Sequence, residues 1–340
     1  MPGCALSEAV AALPAAEDPL ALSLNENPYP PLPAVRAALT ASIGAVNRYP
    51  EFMPQRLRSL IARRVGVADE QVIMGAGATG VVLQILQTVT SPGDAIVMSY
   101  PTFDGYPIFA SMARLRSVTV ALDRHGHNDL DALAAAAQRA RVVVLCRPHN
   151  PTGTIESVAD VERFLTRVPS DTVVILDEAY VEFLDSTLRV DAAHLVQRFP
   201  NLVVVRTFSK AYGLAGLRIG YGFCGTTMAR RMWSMQLPFG MGITALVAVA
   251  ASYDAEDQLQ QRVAQINKEG AYLRARLRSM GVYCTDSHAN FIYLPGRARP
   301  WSEVFDVGSP RVREYADGGA RVTVGNRQSS RAVLTAIGRV

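Results

Sequence analysis

A lysine stands at position 210 in a chain that uses arginine almost everywhere else for positive charge. Lys210 and Lys268 are the only lysines among the 34 basic side chains of the 340-residue sequence. An amine can lose its proton and attack a carbonyl carbon to form an imine, which a guanidinium cannot do. Lys210 also follows the apolar run LVVVR. The sequence therefore makes Lys210 a candidate nucleophile.

Three polar residues that follow other apolar runs could assist this chemistry. Asp177 ends the run TVVILD, where a carboxylate needs a cation or a strong hydrogen-bond donor beside it. A protonated pyridine nitrogen would meet that need. Tyr180 offers a phenol and Asn150, in HNPTG, offers an amide, and both could bond a phenolate-like oxygen on the same ring. Each residue taken alone is also compatible with a helix cap or a turn.

A glycine-rich turn follows the apolar run VIM in VIMGAGATGVVLQILQ. Its glycines, Gly75, Gly77 and Gly80, match G-x-G-x-x-G, a pattern of dinucleotide-binding sites. The next apolar run, AIVMS, lacks the acidic residue that would hold a ribose. Bare amides of Gly77, Ala78 and Thr79 at a helix start suit a single phosphate instead.

Ser209 and Arg218 flank Lys210 and could add a hydroxyl and a cation to that phosphate site. A phosphate, a ring nitrogen, a phenolate oxygen and an aldehyde captured by a lysine together describe pyridoxal 5′-phosphate. The motifs GAGAT, YPTF, HNPTG, DEAY and SKAYGLAGLRIGY resemble, in type and order, those of fold type I aminotransferases that use this cofactor. With LNENPYPP and ARVTVG, residues 22–325 most resemble the histidinol-phosphate aminotransferase family.

The resemblance implies a role for each matched residue around the cofactor. Lys210 would form the imine, Asp177 would pair with the ring nitrogen, and Tyr180 with Asn150 would bind the ring oxygen. Phe103 of YPTF would stack on the ring, where the family often has tyrosine. The phosphate would be bound by Gly77, Ala78, Thr79, Ser209 and Arg218.

Residues nearer the two ends of the chain are implied to bind the substrate or a second subunit. Arg321 in ARVTVG matches the arginine that binds the anionic group of the substrate, and Arg313 matches a second one. Asn27 of LNENPYPP is expected to contact the substrate. Tyr49 in NRYP matches a tyrosine that reaches the phosphate of the neighbouring subunit, which implies a homodimer with shared active sites.

The implied reaction is transamination between a small amino donor and a 2-oxo acid such as 2-oxoglutarate. Two guanidiniums would suit histidinol phosphate, the donor that the resemblance favours. Two departures favour aromatic amino acids instead: no Tyr-x-Pro-Gly stretch precedes NENP, and Gly240 replaces a polar residue after Pro-Phe. A lyase resembling threonine-phosphate decarboxylase shares nearly all the motifs and is a third alternative.

The elements that must position these residues alternate along the chain. Short β-branched runs and helix-length segments follow each other from about residue 70 to 224. This pattern predicts an α/β fold with a mostly parallel sheet sandwiched by helices, whose strand ends carry the ligand site. We predict a large cofactor-binding domain over 41–254, a smaller α+β domain over 255–340, and an N-terminal arm over 1–40 packed with the small domain.

Composition argues against several other classes of protein. The net charge is +4, and no run of five basic residues suggests a nucleic-acid partner. The scattered cysteines, Cys4, Cys146, Cys224 and Cys284, form no metal-ligand cluster, so no metal is expected. No segment has the length and apolarity of a membrane span, and the N-terminal stretch lacks the basic start of a signal peptide. These features predict a cytoplasmic protein.

Overall fold

Seven strands form one large sheet in this computed structural model, which describes residues 15–306 and 310–338. In chain order they are β1 (Val72–Ala76), β2 (Ala95–Tyr100), β3 (Arg116–Ala121), β4 (Val142–Cys146), β5 (Val173–Asp177), β6 (Leu202–Thr207) and β7 (Ile219–Cys224). Their order across the sheet is β1-β7-β6-β5-β4-β2-β3. Neighbours pair in parallel except β7, which is antiparallel to both β1 and β6.

Both faces of the central strands of this sheet are buried, whereas the edge strand β3 is largely exposed. Along β5, Val174 and Leu176 belong to one hydrophobic core, whereas Val173 and Ile175 belong to another. Successive side chains of a strand point to opposite faces, so two separate cores on one strand mean that helices cover both sides. The predicted α/β fold is therefore confirmed.

The helices in the described residues contribute buried side chains to these two cores. They are α1 (Pro33–Ser42), α2 (Gln55–Val65), α3 (Gly77–Val89), α4 (Gly105–Met112), α5 (Leu130–Ala137), α6 (Val158–Arg167), α7 (Ala192–Arg198), α8 (Thr226–Trp233), α9 (Ile243–Asp254), α10 (Glu256–Ser279) and α11 (Arg327–Gly338). Buried side chains of α3, α4 and α8 form one core, and those of α2, α5, α6 and α7 contribute to the other.

A second, antiparallel sheet contains β8 (Phe291–Leu294), β9 (Arg313–Glu314) and β10 (Ala320–Thr323), with β10 in the centre. The N-terminal arm is joined to it, because the Leu22 N–H donates to the Arg311 carbonyl and the Thr323 N–H donates to the Leu22 carbonyl, both at 2.9 Å. These bonds connect part of the predicted arm to the predicted small domain. The domain boundaries at residues 40 and 254 stay predictions.

Two further observations concern membrane-spanning helices and metal sites, neither of which was expected from the sequence. No helix among the described residues has the length and apolarity needed to cross a membrane. Within 15–306 and 310–338, no group of three or more histidine, cysteine or acidic side chains could hold a metal ion. Three cysteines, Cys146, Cys224 and Cys284, are buried free thiols, and Cys4 lies outside the described residues.

Candidate active site

Two neighbouring parallel strands bring the candidate nucleophile and the candidate ring partner to one edge of the large sheet. Asp177 is the last residue of β5, and Lys210 lies three positions beyond Thr207, the last residue of β6. The carboxyl ends of parallel strands share an edge, where ligands of such sheets bind.

A cavity of about 400 Å³ opens at this edge and gathers most of the predicted site residues. Its wall includes Ala78, Thr79, Phe103, Asn150, Asp177, Tyr180, Ser209, Lys210, Arg218, Arg313 and Arg321. Residues 23–26 of the N-terminal arm close one side of it. Tyr49 and Asn27 do not line the cavity.

Asp177 is held through both of its carboxylate oxygens. Oδ1 accepts the Ala179 N–H at 3.0 Å, and Oδ2 accepts the Tyr106 hydroxyl at 2.7 Å. Burial raises the pKa of Asp177 above its ordinary value, while these two bonds favour the ionised form. Tyr106 was missed by the sequence analysis, although it stands only three residues after Phe103 in YPTFDGY.

Lys210 is poised to work as a neutral amine. Its Nζ donates to the Leu24 carbonyl at 2.9 Å, and part of its side chain opens into the cavity. Loss of hydration lowers the pKa of Lys210 to about 7, and the nearby guanidiniums of Arg321 and Arg218 act in the same direction. Glu26 opposes them. Near neutral pH, a large fraction of the lysine is therefore unprotonated.

The phenol of Tyr180 accepts two hydrogen bonds. One comes from Asn25 Nδ2 at 2.9 Å and the other from Asn150 Nδ2 at 3.2 Å. A phenol has two acceptor lone pairs and one proton to donate, so the proton is left for an acceptor in the cavity. Burial raises the pKa of Tyr180, which keeps that proton in place. Asn25 belongs to the LNENPYPP motif, but the sequence analysis selected Asn27.

Asn27 binds the chain that carries the lysine rather than the cavity. Its Nδ2 donates to the Ala211 carbonyl at 2.9 Å and to the Lys210 carbonyl at 3.3 Å. These bonds place Asn27 beside the backbone of Lys210, but its position does not support the predicted contact of Asn27 with a substrate in this cavity. Asn25, which lines the cavity, has a positive φ of 55° that turns the arm at this point.

The start of α3 carries the amides that were predicted to bind a phosphate, with one correction. The Gly77 N–H donates to the Arg218 carbonyl at 3.0 Å, so the prediction of a bare amide at Gly77 is wrong. Gly77 instead leaves room, because a Cβ at its φ of +73° would collide with the Arg218 guanidinium. The next amides, of Ala78 and Thr79, lie in the first helical turn, where N–H groups have no intrahelical partner.

Arg218 supplies a cation beside these amides. Its Nη1 donates to the Ala215 carbonyl at 2.9 Å and to Ser209 Oγ at 3.3 Å. None of the ion pairs found in the described part of the chain includes Arg218. Thr207 Oγ1, another cavity residue that the sequence analysis missed, accepts the Ser209 N–H at 3.1 Å and fixes the serine.

Arg321 is buried and carries an uncompensated charge. It donates to Asn150 Oδ1 at 2.6 Å, to the Tyr315 hydroxyl at 2.9 Å and to the Ser23 carbonyl at 2.6 Å, all uncharged groups. Its Nε has no hydrogen-bond partner in the part of the chain that the structure describes. A buried guanidinium in this state favours an anion in the cavity. The exposed Arg313, by contrast, lies 3.0 Å from Asp104 Oδ2.

Tyr49 is a largely exposed aromatic residue, with 83% of its surface accessible to solvent. Its ring contacts only a small aromatic group, with centroids 4.9 Å from Phe239, which in turn meets Phe52 at 5.1 Å. Within one subunit Tyr49 therefore takes no part in the cavity.

The family model for aminotransferase class I and II matches residues 17–316. The chain belongs to this family. An aromatic amino acid aminotransferase of Streptomyces coelicolor is 40% identical over 321 residues, which cover 93% of this chain and 89% of the relative. Another, from Cutibacterium acnes, is 41% identical over 279 residues and covers 82% and 79%.

A solved structure shares the fold of this aminotransferase. Histidinol-phosphate aminotransferase from Sinorhizobium meliloti, in complex with pyridoxal 5′-phosphate, superimposes with a TM-score of 0.86 at 24% identity. The alignment covers 97% of this chain and 95% of that one. The predictions of a transaminase, of its fold and of its cofactor are confirmed.

The residues present fit pyridoxal 5′-phosphate. A buried carboxylate is available for the ring nitrogen, the Tyr180 proton for the ring oxygen, and the amides of α3 with Arg218 for the phosphate. Lys210, with its lowered pKa, is available for the aldehyde. This aminotransferase thus has one donor or acceptor of suitable charge for each polar group of the cofactor.

Proposed function

We propose that this aminotransferase takes aromatic amino acids as amino donors and a 2-oxo acid such as 2-oxoglutarate as acceptor. The observation that carries the proposal is the different pairing of the two cavity arginines. Within the described residues Arg321 has no carboxylate partner, whereas Arg313 is paired with Asp104 at 3.0 Å. One uncompensated guanidinium suits one α-carboxylate.

The same pairing weighs against a phosphate dianion. Asp104 lines the cavity together with Arg313, so a phosphate bound there would meet a carboxylate as well as a guanidinium. The negative charges of the phosphate and of the Asp104 carboxylate would repel each other. A donor that places no anionic group at Arg313 avoids that conflict, whereas histidinol phosphate with its phosphate at Arg313 does not.

Apolar groups at the cavity support an aromatic side chain. Leu24 lines the cavity and keeps 63% of its surface exposed, and Phe103 lies on the wall as well. When an apolar ligand covers an exposed leucine, apolar surface is removed from water, which favours binding of that ligand. The names of the relatives from Streptomyces coelicolor and Cutibacterium acnes agree with this substrate class.

The chain contributes four functions to the reaction. When bound, pyridoxal 5′-phosphate supplies the aldehyde that joins the donor amine and a ring that accepts the electron pair left at the substrate Cα. Lys210 Nζ takes the Cα proton as a base and gives a proton back as an acid. Arg321 binds the α-carboxylate, Asp177 holds a proton at the ring nitrogen, and Tyr180 donates to the ring oxygen.

The working form in this proposal is a homodimer whose sites are shared. Four large apolar side chains, Tyr49, Phe52, Leu237 and Phe239, are between 44% and 83% exposed. Tyr49, Phe52 and Phe239 also contact one another. An exposed cluster of this kind is typical of a surface that a second protein covers. A second copy would bring its Tyr49 to the phosphate of this site.

The substrate is tested by comparing kcat/KM for phenylalanine, tyrosine and histidinol phosphate, each with 2-oxoglutarate. We expect the aromatic donors to exceed histidinol phosphate by about tenfold or more, equivalent to about 1.4 kcal/mol. A preference for histidinol phosphate would contradict the proposal. Release of carbon dioxide without a 2-oxo acid would identify a lyase instead.

A further inference from the structure

Tyr106 is a buried phenol that does not line the cavity but contacts two residues that do, Asp177 and Phe103. It lies in the first turn of α4, with none of its surface exposed, and its hydroxyl donates to Asp177 Oδ2 at 2.7 Å. Its ring meets Phe103 edge-on, with centroids 5.9 Å apart. Tyr106 therefore contacts Asp177, the proposed partner of the cofactor's ring nitrogen, and Phe103, which would stack on the ring.

The turn that begins α4 is built for this contact. Gly105 stands between Phe103 and Tyr106, and a Cβ at Gly105 would collide with the Phe103 ring. The helix can thus start directly beneath Phe103, and the next side chain enters the core towards β5.

Asp177 is fixed from two sides by these bonds. The Ala179 N–H reaches Oδ1 and the Tyr106 hydroxyl reaches Oδ2, so rotation of the carboxylate would break one bond or both. Each carboxylate oxygen retains a further lone pair for the ring nitrogen. A hydrogen bond to an ionised carboxylate also stabilises the charged form.

We propose that Tyr106 is a positioning residue for transamination: its hydroxyl orients Asp177 and keeps it ionised, so that the shared proton stays on the ring nitrogen of the cofactor. Without the hydroxyl, Asp177 becomes a stronger base and draws that proton towards itself. The ring then withdraws fewer electrons from the substrate Cα.

Other ionisable groups also face Asp177, so the test must separate their effects. They are Cys146 from β4, Glu178 and Tyr180 from the segment after β5, and Lys210 from the segment after β6. Burial raises the pKa of Cys146 well above its ordinary value, so it stays a neutral thiol at working pH. Glu178 and Lys210 act on Asp177 through charge, whereas Tyr106 acts through a direct bond.

The test is Tyr106→Phe, which removes the hydroxyl and leaves the ring against Phe103. The probe is pyridoxal 5′-phosphate labelled with ¹⁵N at the ring nitrogen, whose chemical shift distinguishes a protonated from a neutral nitrogen. We expect the signal of the bound variant to move towards the neutral value and kcat to fall about tenfold, the equivalent of one pKa unit, with little change in KM.

Tyr253→Phe is the matched control. It also removes a buried tyrosine hydroxyl, but this one has no hydrogen-bond partner among the described residues and does not line the cavity. This variant should leave the ¹⁵N signal unchanged. If Tyr106→Phe also leaves it unchanged, Tyr106 only packs against its neighbours and the proposal is overturned.

A double-mutant cycle with Asp177→Asn gives an independent result. If Tyr106 acts through Asp177, adding Tyr106→Phe to Asp177→Asn should lower kcat no further. Independent, multiplying losses would overturn the proposal. Should Tyr106→Phe fail to fold, a fluorinated tyrosine incorporated at this position keeps the ring and is a stronger donor. The ¹⁵N signal should then move towards the protonated value, and a shift the other way would also overturn the proposal.

Discussion

Arg313 and Arg321 lie opposite each other on the neighbouring strands β9 and β10, but among the described residues only Arg313 of the two is paired with a carboxylate. The register places both arginines at the cavity wall. Their surroundings then differ, because Arg321 is 5% exposed and Arg313 lies at the surface. The charge of Arg313 is therefore neutralised by a neighbouring carboxylate, whereas the charge of Arg321 is available to a substrate.

This inequality predicts unequal effects of mutation. Arg321→Ala should cost about 2–5 kcal/mol of transition-state binding for phenylalanine, because the α-carboxylate loses a desolvated partner. Arg313→Ala should cost less than about 1 kcal/mol, as expected for an exposed ion pair. The measurement is kcat/KM with 2-oxoglutarate. A large loss in Arg313→Ala that is specific to histidinol phosphate would point to phosphate binding there.

The two lysines allow a direct test of the covalent link. Lys210→Arg should keep the positive charge and the fold but lose the pyridoxyl adduct that borohydride traps on the wild type. Intact mass spectrometry after reduction measures the adduct. Lys268→Arg is the control and should still be labelled. An adduct on Lys210→Arg would move the link to Lys268, the one remaining lysine.

The lowered pKa of Lys210 predicts the pH dependence of cofactor capture. With a pKa of about 7, the amine is mostly protonated below that pH and mostly neutral above it. The rate at which apoenzyme captures pyridoxal 5′-phosphate should therefore rise about tenfold per pH unit below 7 and level off above it. Arg321→Ala removes a positive neighbour and should move the midpoint upward. A midpoint near the ordinary lysine value would contradict this.

Shared sites predict that two defective homodimers can complement each other. When Tyr49→Phe and Lys210→Ala enzymes exchange subunits, each mixed dimer should have one site with both wild-type residues and one with both defects. Activity should then exceed the mean of the two parents as exchange proceeds. Sedimentation measures the dimer, and wild type mixed with Lys210→Ala is the control. Activity that stays at the mean would indicate sites contained within one subunit.

Much of the fold was accessible from the sequence, because fully buried strands carry their apolar pattern in every residue. The apolar runs VIM, AIVMS, VVILD and LVVVR all lie in strands of the large sheet, namely β1, β2, β5 and β6. The antiparallel direction of β7 was not accessible, since an apolar run carries no sign of direction. β9 was missed because its two residues, Arg313 and Glu314, are both exposed.

Some residues of the candidate site could likewise be predicted from the sequence, and others could not. Lys210 and Asp177 were found because an amine or a carboxylate beside an apolar strand end is chemically conspicuous. Tyr106 was not, since its role depends on α4 packing against β5, which no local pattern reveals. The choice between Asn25 and Asn27 depends on a backbone turn at Asn25, and composition cannot indicate which asparagine faces inward.

Two hydrogen bonds, from Lys210 Nζ to the Leu24 carbonyl and from Asn25 Nδ2 to the Tyr180 hydroxyl, have a consequence for biosynthesis. They join residues separated by 186 and 155 positions in the sequence, and Arg321 adds a wall residue more than a hundred positions later still. A ribosome delivers the arm long before the strands that it must meet. The nascent chain therefore cannot complete the binding site until most of its length has been translated, and we expect the complete site to bind its cofactor only after that point.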